Sequence, residues 1–334
     1  MPPDHALPAG AAFASRRASG LAPLDLARFA EGNDGIPYVV RVEAPRPGPH
    51  VVLTALVHGN ERCGASALMR LIEAGVRPKH GSLSLVFANV AAHDDFDPAA
   101  PFASRYLDED LNRLWSDALL DAPARSREHS RAKALRPLIA SADALLDLHS
   151  SAVPGPPLLL AGVPRKARRL ALRLGFPPVV VSDPGHAAGP RLIDYGAFAR
   201  EEEGPVALLA ECGGHFEPDS TEVAVEVALR FLLGLGVIAT PPGGLALRQA
   251  RGAPQVYEVT ETVTIRSHGF AFVRPFASLE RVPRAGTLLA FDGGRAIITP
   301  YDDCVLILPS TSCQPGETAV RLARPALAEA REDR

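Results

Sequence analysis

Cysteine is scarce in this sequence of 334 residues. The four cysteines are Cys63, Cys212, Cys304 and Cys313, and no two of them form a C-x-x-C pair. Their number and spacing argue against a dense disulfide framework and against the common cysteine-based zinc motifs. We therefore expect reduced thiols in a cytoplasmic protein.

Long apolar runs are absent as well. The longer ones, such as residues 206–210 and 304–308, have the length of a β-strand, whereas a membrane-spanning helix needs about 18 apolar residues. Residues 1–20 lack a continuous apolar segment, so we expect no secretory signal. The formal net charge of -3 gives no reason to expect nucleic acid or an anionic membrane as a partner.

What the chain does contain is an alternation of apolar strand patterns with helical patterns. Strands are predicted at residues 38–43, 50–57, 83–90, 142–148, 158–161, 178–182 and 205–211. Helices are predicted at residues 61–74, 128–140, 165–174 and 221–235. This alternation predicts an α/β fold, with a mixed central sheet covered by helices on both faces.

The composition changes after the Pro-Pro-Gly-Gly sequence at residues 241–244. Five short β-branched segments follow, at residues 255–265, 287–291, 296–299, 305–308 and 318–322. We therefore predict a flexible arm (1–20), a catalytic domain (21–240), a small all-β domain (245–324) and a tail (325–334). Residues 91–121 form a long polar stretch, which within a compact domain is usually functional or disordered.

A candidate metal site follows the strand predicted at residues 50–57. The strand runs directly into His58-Gly59-Asn60-Glu61, and ligands collect at strand ends in open α/β sheets. His58 and Glu61 are three residues apart, so one helical turn would place both side chains on the same side. Gly59 allows the backbone to turn sharply there.

The strand predicted at residues 142–148 leads into His149 in the same way. Two histidines and one glutamate form a catalytic zinc set that leaves a position for water, whereas a closed structural site takes four protein ligands. Asp147 would share a strand face with His149 and is a candidate hydrogen-bond partner for it. An H-x-x-E pair alone occurs often by chance, but Glu211, an isolated carboxylate after another apolar strand, strengthens the prediction.

Four segments together resemble the succinylglutamate desuccinylase/aspartoacylase family, within the wider zinc carboxypeptidase superfamily. They are HGNE at 58–61, RYLDEDLNR at 105–113, DLHS at 147–150 and ECGGH at 211–215. They occur in the family's order, and the resemblance runs from about residue 24 to residue 236. It implies a zinc carboxypeptidase-like fold and a C-terminal β domain that helps to shape the pocket.

The resemblance also implies a role for each matching residue. His58, Glu61 and His149 would be the ligands of one Zn²⁺ per chain. Glu211 would be the general base, and Arg105 would polarise the scissile carbonyl. The pair that would bind a substrate carboxylate is Asn112 and Arg113. Zinc lowers the pKa of bound water to about 7, and a nearby carboxylate can carry the proton to the leaving amine.

Several of these residues have simpler interpretations. Arg113 could pair with an acidic neighbour on its own loop, and Glu211 could cap the turn that follows it. Arg191 is a candidate second contact to a substrate carboxylate, or a surface arginine at a helix start. Cys212 is better explained by packing than by nucleophilic chemistry. The roles of His186 and His215 remain open.

The leading hypothesis is a zinc-dependent hydrolase that cleaves the amide bond of a small-molecule N-acyl amino acid. A carboxypeptidase or an esterase would use the same chemistry, and a metal-binding protein without turnover is the alternative of another class. A His/Glu/His set also accepts cobalt or manganese. The sequence identifies neither the acyl group nor the amino acid, and it leaves a homo-oligomer open.

Overall fold

The computed structural model describes residue 18 and residues 24–248, 252–310 and 314–326. The predicted N-terminal arm lies outside these residues except for Ala18, and the predicted tail lies outside them except for Pro325 and Ala326. Cys313 is outside them too. The other three cysteines are buried and form no disulfide, as the sequence suggested.

The described residues form an eleven-stranded sheet and a three-stranded sheet. The strands, in chain order, are β1 (Val39–Glu43), β2 (His50–Ala55), β3 (Ser82–Phe87), β4 (Ala144–Ser151), β5 (Leu158–Leu160), β6 (Val179–Ser182), β7 (Val206–Gly214), β8 (Gln255–Thr264), β9 (Ala271–Phe272), β10 (Glu280–Val282), β11 (Leu288–Asp292), β12 (Arg295–Ile298), β13 (Cys304–Ile307) and β14 (Thr318–Pro325). The large sheet has the order β1-β3-β2-β4-β7-β5-β6-β8-β14-β13-β10, and the small sheet has the order β12-β11-β9. Strands β2, β3, β4 and β7 are parallel neighbours, whereas β1 and β5 join this group in antiparallel fashion. The predicted mixed sheet is confirmed.

Helices cover both faces of the large sheet. They are α1 (Arg62–Glu73), α2 (Val90–Asp94), α3 (Asp117–Asp121), α4 (Arg127–Ala140), α5 (Arg165–Leu174) and α6 (Pro218–Gly234). The apolar residues of α1, α5 and α6 join one core with Leu53, Leu146 and Leu208 of the central strands. Those of α4 join a second core with Val52 and Leu145, their strand neighbours. Successive strand residues point to opposite faces, and both faces of these central strands are covered. Their sequences are therefore almost continuously apolar.

The predicted elements agree with the observed ones to within a few residues. The clearest additions lie in short segments. Strands β9 and β10 have only two and three residues, too few for a periodic pattern. The polar stretch 91–121 contains helix α3 and the 3₁₀ turns Ala103–Arg105 and Leu111–Arg113. Much of it is therefore ordered by local turns and contacts with neighbouring elements.

The C-terminal strands continue the large sheet, because β8 pairs in parallel with β6. They also enclose a third core of their own, which includes Phe270, Leu289 and Leu306. The division into a catalytic domain and a β domain corresponds only in part to separate cores, because Val259, Val305, Ile307 and Ala323 of the C-terminal strands belong to the second core. The large sheet also runs through both parts. The domain boundaries themselves stay a prediction.

A buried ion network also ties the C-terminal strands to the rest of the protein. Asp183, at the end of β6, is fully buried. Its Oδ2 lies 2.6 Å from Arg191 Nη1 and 2.8 Å from Arg321 Nε on β14. Burial raises the pKa of Asp183, but Arg321 and Arg191 outweigh this effect and hold the pKa below its usual value. The carboxylate therefore stays ionised between two buried cations.

Replacing Asp183 by asparagine should lower the free energy of unfolding by about 3–5 kcal/mol, because it removes the counter-ion of the buried Arg321 and leaves Arg191 with Asp194 alone. Urea unfolding followed by circular dichroism measures this. Asp302→Asn is the matched control, since its ion pair with Arg284 is exposed and contributes less than about 1 kcal/mol.

Comparison of wild type with Asp183→Asn also tests how the stability of the fold depends on acid pH. A carboxyl whose pKa is lower when folded stabilises the protein above its unfolded pKa of about 3.9, and this contribution is lost as the pH falls through the folded pKa. Wild type should therefore lose more stability than Asp183→Asn on acidification below about pH 4. Equal losses in both proteins would contradict an ionised Asp183.

Within the described ranges, no helix combines the length and the apolar character that crossing a bilayer requires.

Candidate metal centre and active site

The candidate site lies at the carboxyl ends of three parallel strands, β2, β4 and β7. Alternation along β4 and β7 directs Asp147, His149 and Glu211 to the face that α4 covers. His149 and Glu211 are register partners on these neighbouring strands. The sheet therefore holds a candidate ligand and a candidate base side by side, as expected where ligands bind to open α/β sheets.

A tight turn after β2 supplies the other two candidate ligands. Leu56 has a positive φ of 56°, an unusual conformation for a branched residue and a mark of local strain. The Glu61 backbone N–H then donates to the His58 carbonyl at 3.1 Å, and α1 begins at the next residue. Gly59 has an ordinary φ, but a Cβ there would lie 2.5 Å from the Ala92 and Ser104 backbones. Gly59 is therefore needed for close approach of the neighbouring loop.

His58, Glu61 and His149 converge as the sequence predicted. Each residue offers one ligand atom, and these atoms lie within 4.8 Å of one another. His58 Nδ1 lies 2.7 Å from Glu61 Oε1, and His149 Nδ1 lies 2.8 Å from Glu61 Oε2. All three residues are at least 97% buried. The two histidines thus present the same ring nitrogen to a single carboxylate.

The opposite ring nitrogen of each histidine faces a second carboxylate. His149 Nε2 lies 2.7 Å from Asp147 Oδ2, which confirms the predicted contact, and the Thr54 hydroxyl donates to Asp147 Oδ1 at 2.6 Å. His58 Nε2 lies 2.9 Å from Asp110 Oδ1. Sequence analysis did not single out Asp110, although it lies within the RYLDEDLNR segment. These carboxylates favour histidine tautomers whose Nδ1 lone pairs are free to bind a metal.

The charged groups of the site stabilise one another in their ionised forms. Burial opposes ionisation of Glu61, but His58 and His149 hold the pKa of its carboxyl well below the usual range. Burial likewise lowers the pKa of His149, but Asp147 and Glu61 together raise it well above its usual value. In each case the partner's charge outweighs the cost of desolvation.

This donor set fits a catalytic zinc ion. Two imidazoles and one carboxylate are a known zinc combination, and three protein ligands leave a position for water or substrate. The hydrogen-bonded carboxylates behind both histidines are the usual supports of such a centre. His58, Glu61 and His149 could therefore hold a metal ion.

Glu211 stands beside this group with one buried oxygen, Oε2, that has no hydrogen-bond partner. Burial and the neighbouring charge of Glu61 raise the pKa of Glu211 to about 8. The alternative role as a turn cap is filled by Glu217, whose Oε2 accepts from the Gly214 backbone N–H at 3.1 Å. Since an orphaned buried carboxylate is costly, a functional role for Glu211 is favoured.

Arg105 reaches the same group from the 3₁₀ turn 103–105. Its guanidinium lies 3.2 Å from Glu61 Oε1 and 3.3 Å from Asp110 Oδ2, and Nη2 lies 2.9 Å from His58 Nε2. About one third of its side chain is exposed. Arg105 therefore lies beside the converging residues with part of its side chain exposed. Its predicted role of polarising a carbonyl stays a prediction.

Asn112 and Arg113 lie on the next turn of this loop. The Leu192 backbone N–H donates to Asn112 Oδ1 at 2.7 Å, which fixes the orientation of the amide. Arg113 Nη2 lies 3.7 Å from Asp110 Oδ2, so the alternative of an ion pair within the loop is partly observed. Burial lowers the pKa of Arg113, and the cations Arg105, Arg321 and Arg191 add to this effect against Asp110. Three guanidinium groups therefore lie near Arg113, and each of them is also paired with a carboxylate of the protein.

Arg191 is almost completely buried. Its guanidinium donates to Asp183 Oδ2, to the Asp183 carbonyl and to both carboxylate oxygens of Asp194. A direct contact of Arg191 with substrate stays a prediction. Its ion pairs favour a role in shaping the 183–194 loop.

The histidines and cysteine whose roles were open have structural partners. His215 Nδ1 lies 2.8 Å from Ser150 Oγ, and its ring contacts Phe102 and Phe216. Burial lowers the pKa of His215 to about 4, so the ring is neutral at physiological pH. His186 lies between Thr318 Oγ1 and Arg321 Nη2. Cys212 is buried in the core below Glu211, as its packing interpretation predicted.

Comparisons with known proteins agree with this geometry. Residues 47–220 match the model of the succinylglutamate desuccinylase/aspartoacylase catalytic domain. A succinylglutamate desuccinylase from Burkholderia cenocepacia is 28% identical over 80% of this chain and 78% of its own length.

Two solved structures share the fold. A succinylglutamate desuccinylase from Vibrio parahaemolyticus has a TM-score of 0.65 and 17% identity, covering 89% of this chain and 88% of its own. A succinylglutamate desuccinylase/aspartoacylase from Rhodobacter sphaeroides has a TM-score of 0.61 and 20% identity, covering 87% and 89%.

Proposed function

The chain belongs to the succinylglutamate desuccinylase/aspartoacylase family, and on this basis we propose that it is a zinc-dependent hydrolase of N-acyl amino acids. One observation carries the proposal. His58, Glu61 and His149 converge, and Glu211, with an unpartnered buried oxygen, is the register partner of His149. A metal-binding protein without turnover would have no need for such a carboxylate. The cytoplasmic location expected from the sequence stays a prediction.

His58 Nδ1, His149 Nδ1 and the Glu61 carboxylate would hold the zinc ion. When bound, zinc supplies a Lewis acid that activates water at neutral pH and polarises the scissile carbonyl. Asp147 and Asp110 keep the two imidazoles in the tautomer that this binding requires. A nearby cation would also favour the ionised form of Glu211.

Glu211 would act as the general base. Its Oε2 takes a proton from the attacking water and returns it to the nitrogen of the leaving amino acid, so that one water adds across the amide bond. The products are a carboxylate and a free amine. A carboxylate whose pKa is raised by burial accepts a proton more readily, which suits it to this task near neutral pH.

Arg105 would stabilise the negative charge that develops on the carbonyl oxygen. Its guanidinium is partly exposed and is anchored by Glu61 and Asp110, so it is held in place before the reaction begins. A preorganised cation in a desolvated site is effective because it needs no reorganisation when the charge appears.

Asn112 and Arg113 would bind a carboxylate of the substrate. Arginine can donate two parallel hydrogen bonds to a carboxylate, and the 3.7 Å contact of Arg113 with Asp110 is long for a hydrogen bond. Relatives named as succinylglutamate desuccinylases indicate an acyl amino acid with carboxylate groups.

Replacing Arg113 by methionine should raise KM and lower kcat/KM by about 10- to 100-fold for carboxylate-bearing substrates, since hydrogen bonds between charged groups are lost. The matched control is Arg125→Met, whose guanidinium binds Glu109 nearby on the surface. Amide substrates that lack the free carboxylate should be affected much less. An equal loss for both substrate types would contradict this role.

A substrate panel tests the proposed function itself. Zinc-loaded protein is assayed against N-succinyl and N-acetyl amino acids, dipeptides, longer peptides and small esters, with amine or acid release as the readout. We expect N-acyl amino acids to be the best substrates. Faster cleavage of peptides or esters would favour the carboxypeptidase or esterase alternatives. Absence of turnover across the panel would favour a non-catalytic protein.

A further inference from the structure

Glu128 is fully buried and is not one of the three residues that converge at the candidate metal centre. Oε1 accepts from the Leu107 backbone N–H at 2.7 Å and from Asn89 Nδ2 at 3.0 Å. Oε2 accepts from the backbone N–H groups of Asp108 and Glu109 at 3.1 and 3.3 Å. The carboxylate therefore has protein donors around both oxygens, as a buried charge requires.

The three consecutive backbone donors, residues 107–109, lie between the two functional parts of the active-site loop. Arg105 precedes them, and Asp110, Asn112 and Arg113 follow them. Consecutive backbone N–H groups that point into one concavity form an anion-binding nest. Here the anion is a side chain of the protein itself, and it fixes the path of the loop between its functional residues.

The carboxylate is presented by a rigid element. Glu128 lies in the first turn of α4, whose N-cap Ser126 accepts from the His129 backbone N–H at 2.9 Å. The positive end of a helix dipole favours an acidic side chain at this position. A second hydrogen bond joins the loop to the same helix: the Arg127 backbone N–H donates to Asp108 Oδ2 at 2.9 Å. The loop is thus attached to the start of α4.

We propose that Glu128 is a positioning residue that holds the 105–113 loop, so that Arg105 and the Asn112–Arg113 pair face the metal centre together. The catalytic part of this proposal rests on the proposed function, whereas the structural part does not. A positional error of about 1 Å in such groups can lower the rate about 100-fold. Loss of this support should therefore affect both kcat and KM.

Glu128→Gln provides the main test. The side chain keeps its size, but its amide NH₂ now faces backbone donors, so at least one of the loop hydrogen bonds is lost. We expect faster hydrogen exchange at the amides of residues 107–109, and kcat/KM lower by about 100-fold with changes in both kcat and KM. At a saturating zinc concentration, the zinc content should equal that of wild type. Glu222→Gln is the control, because its carboxylate pairs with the exposed Arg70 on another helix and its loss should leave these quantities near wild type.

Three results would overturn the proposal. One is unchanged exchange and kinetics in folded Glu128→Gln. Another is loss of zinc from this variant, which would make Glu128 a general support of the metal centre. The third is rapid exchange of the 107–109 amides in wild type, which decides the question even if the variant does not fold. Protected amides in a wild type without turnover would support the loop contact while contradicting the proposed function.

Discussion

Glu211→Gln should bind zinc as wild type does and yet lose about 10²- to 10⁴-fold in kcat, the range that general acid–base catalysis contributes. Glutamine has nearly the same shape as glutamate but cannot take a proton from water. Because Glu211 is not one of the three converging ligands, metal binding should be preserved. Steady-state kinetics on the best substrate of the panel, together with metal analysis of the same preparation, measures both quantities.

Glu217→Gln is the control for this result, since Glu217 follows the same strand and binds the Gly214 backbone. It should retain nearly full activity. Wild-type activity in Glu211→Gln would exclude Glu211 as the base and with it the proposed mechanism. Loss of zinc along with activity would instead show that Glu211 contributes to the metal centre.

His149→Ala should lose both the metal and the activity. We expect about one zinc per chain in wild type, as a single three-ligand catalytic site implies. The variant removes a ligand and also leaves Asp147 buried without its partner. Loss of a hydrogen-bonding partner of a metal ligand typically lowers metal affinity by about 10- to 100-fold. Loss of the ligand itself should lower the zinc affinity by more than this. Elemental analysis after dialysis against a low zinc concentration measures the content.

His268→Ala is the matched control, because His268 is exposed in the C-terminal β region. Its zinc content should equal that of wild type. If well-folded wild type binds no zinc even after incubation with the metal, the family relationship would reflect ancestry alone. The non-catalytic hypothesis would then become the leading one.

The convergence of His58, Glu61 and His149 could be predicted because the two histidines follow apolar segments directly. His58 and His149 occupy strand ends that any parallel arrangement brings to the same side of the sheet, and Glu61 is one turn away from His58. The contact between Asp147 and His149 follows from strand geometry alone. These inferences need only local periodicity and the rule that strand ends collect ligands.

The supporting residues could not be predicted in this way. The Glu128 carboxylate meets amides about twenty positions earlier, and Arg321 meets Asp183 across 138 positions. Nothing in the local pattern of either segment indicates its partner. The ion pairs of Arg191 with Asp183 and Asp194 could not be predicted either, because a glycine-rich loop carries no periodic pattern. The contact of Arg191 with substrate stays a prediction.

The C-terminal strands show the same limit. Composition changes sharply at residues 241–244, and this change indicates a separate unit. The pairing of Val179–Ser182 with Gln255–Glu258 depends instead on contacts more than seventy positions apart. Composition can therefore locate a change of core, but it cannot show whether hydrogen bonding continues across it.

This pairing has a consequence for how the protein can be divided. If the chain were cut after residue 240, β6 would become an open edge strand with unpaired N–H and C=O groups, and such edges promote aggregation. The same cut would remove Arg321 from the buried Asp183. The catalytic half is therefore a poor unit for separate expression or domain exchange. The two halves share the second core as well as the large sheet, so they should unfold in one cooperative transition.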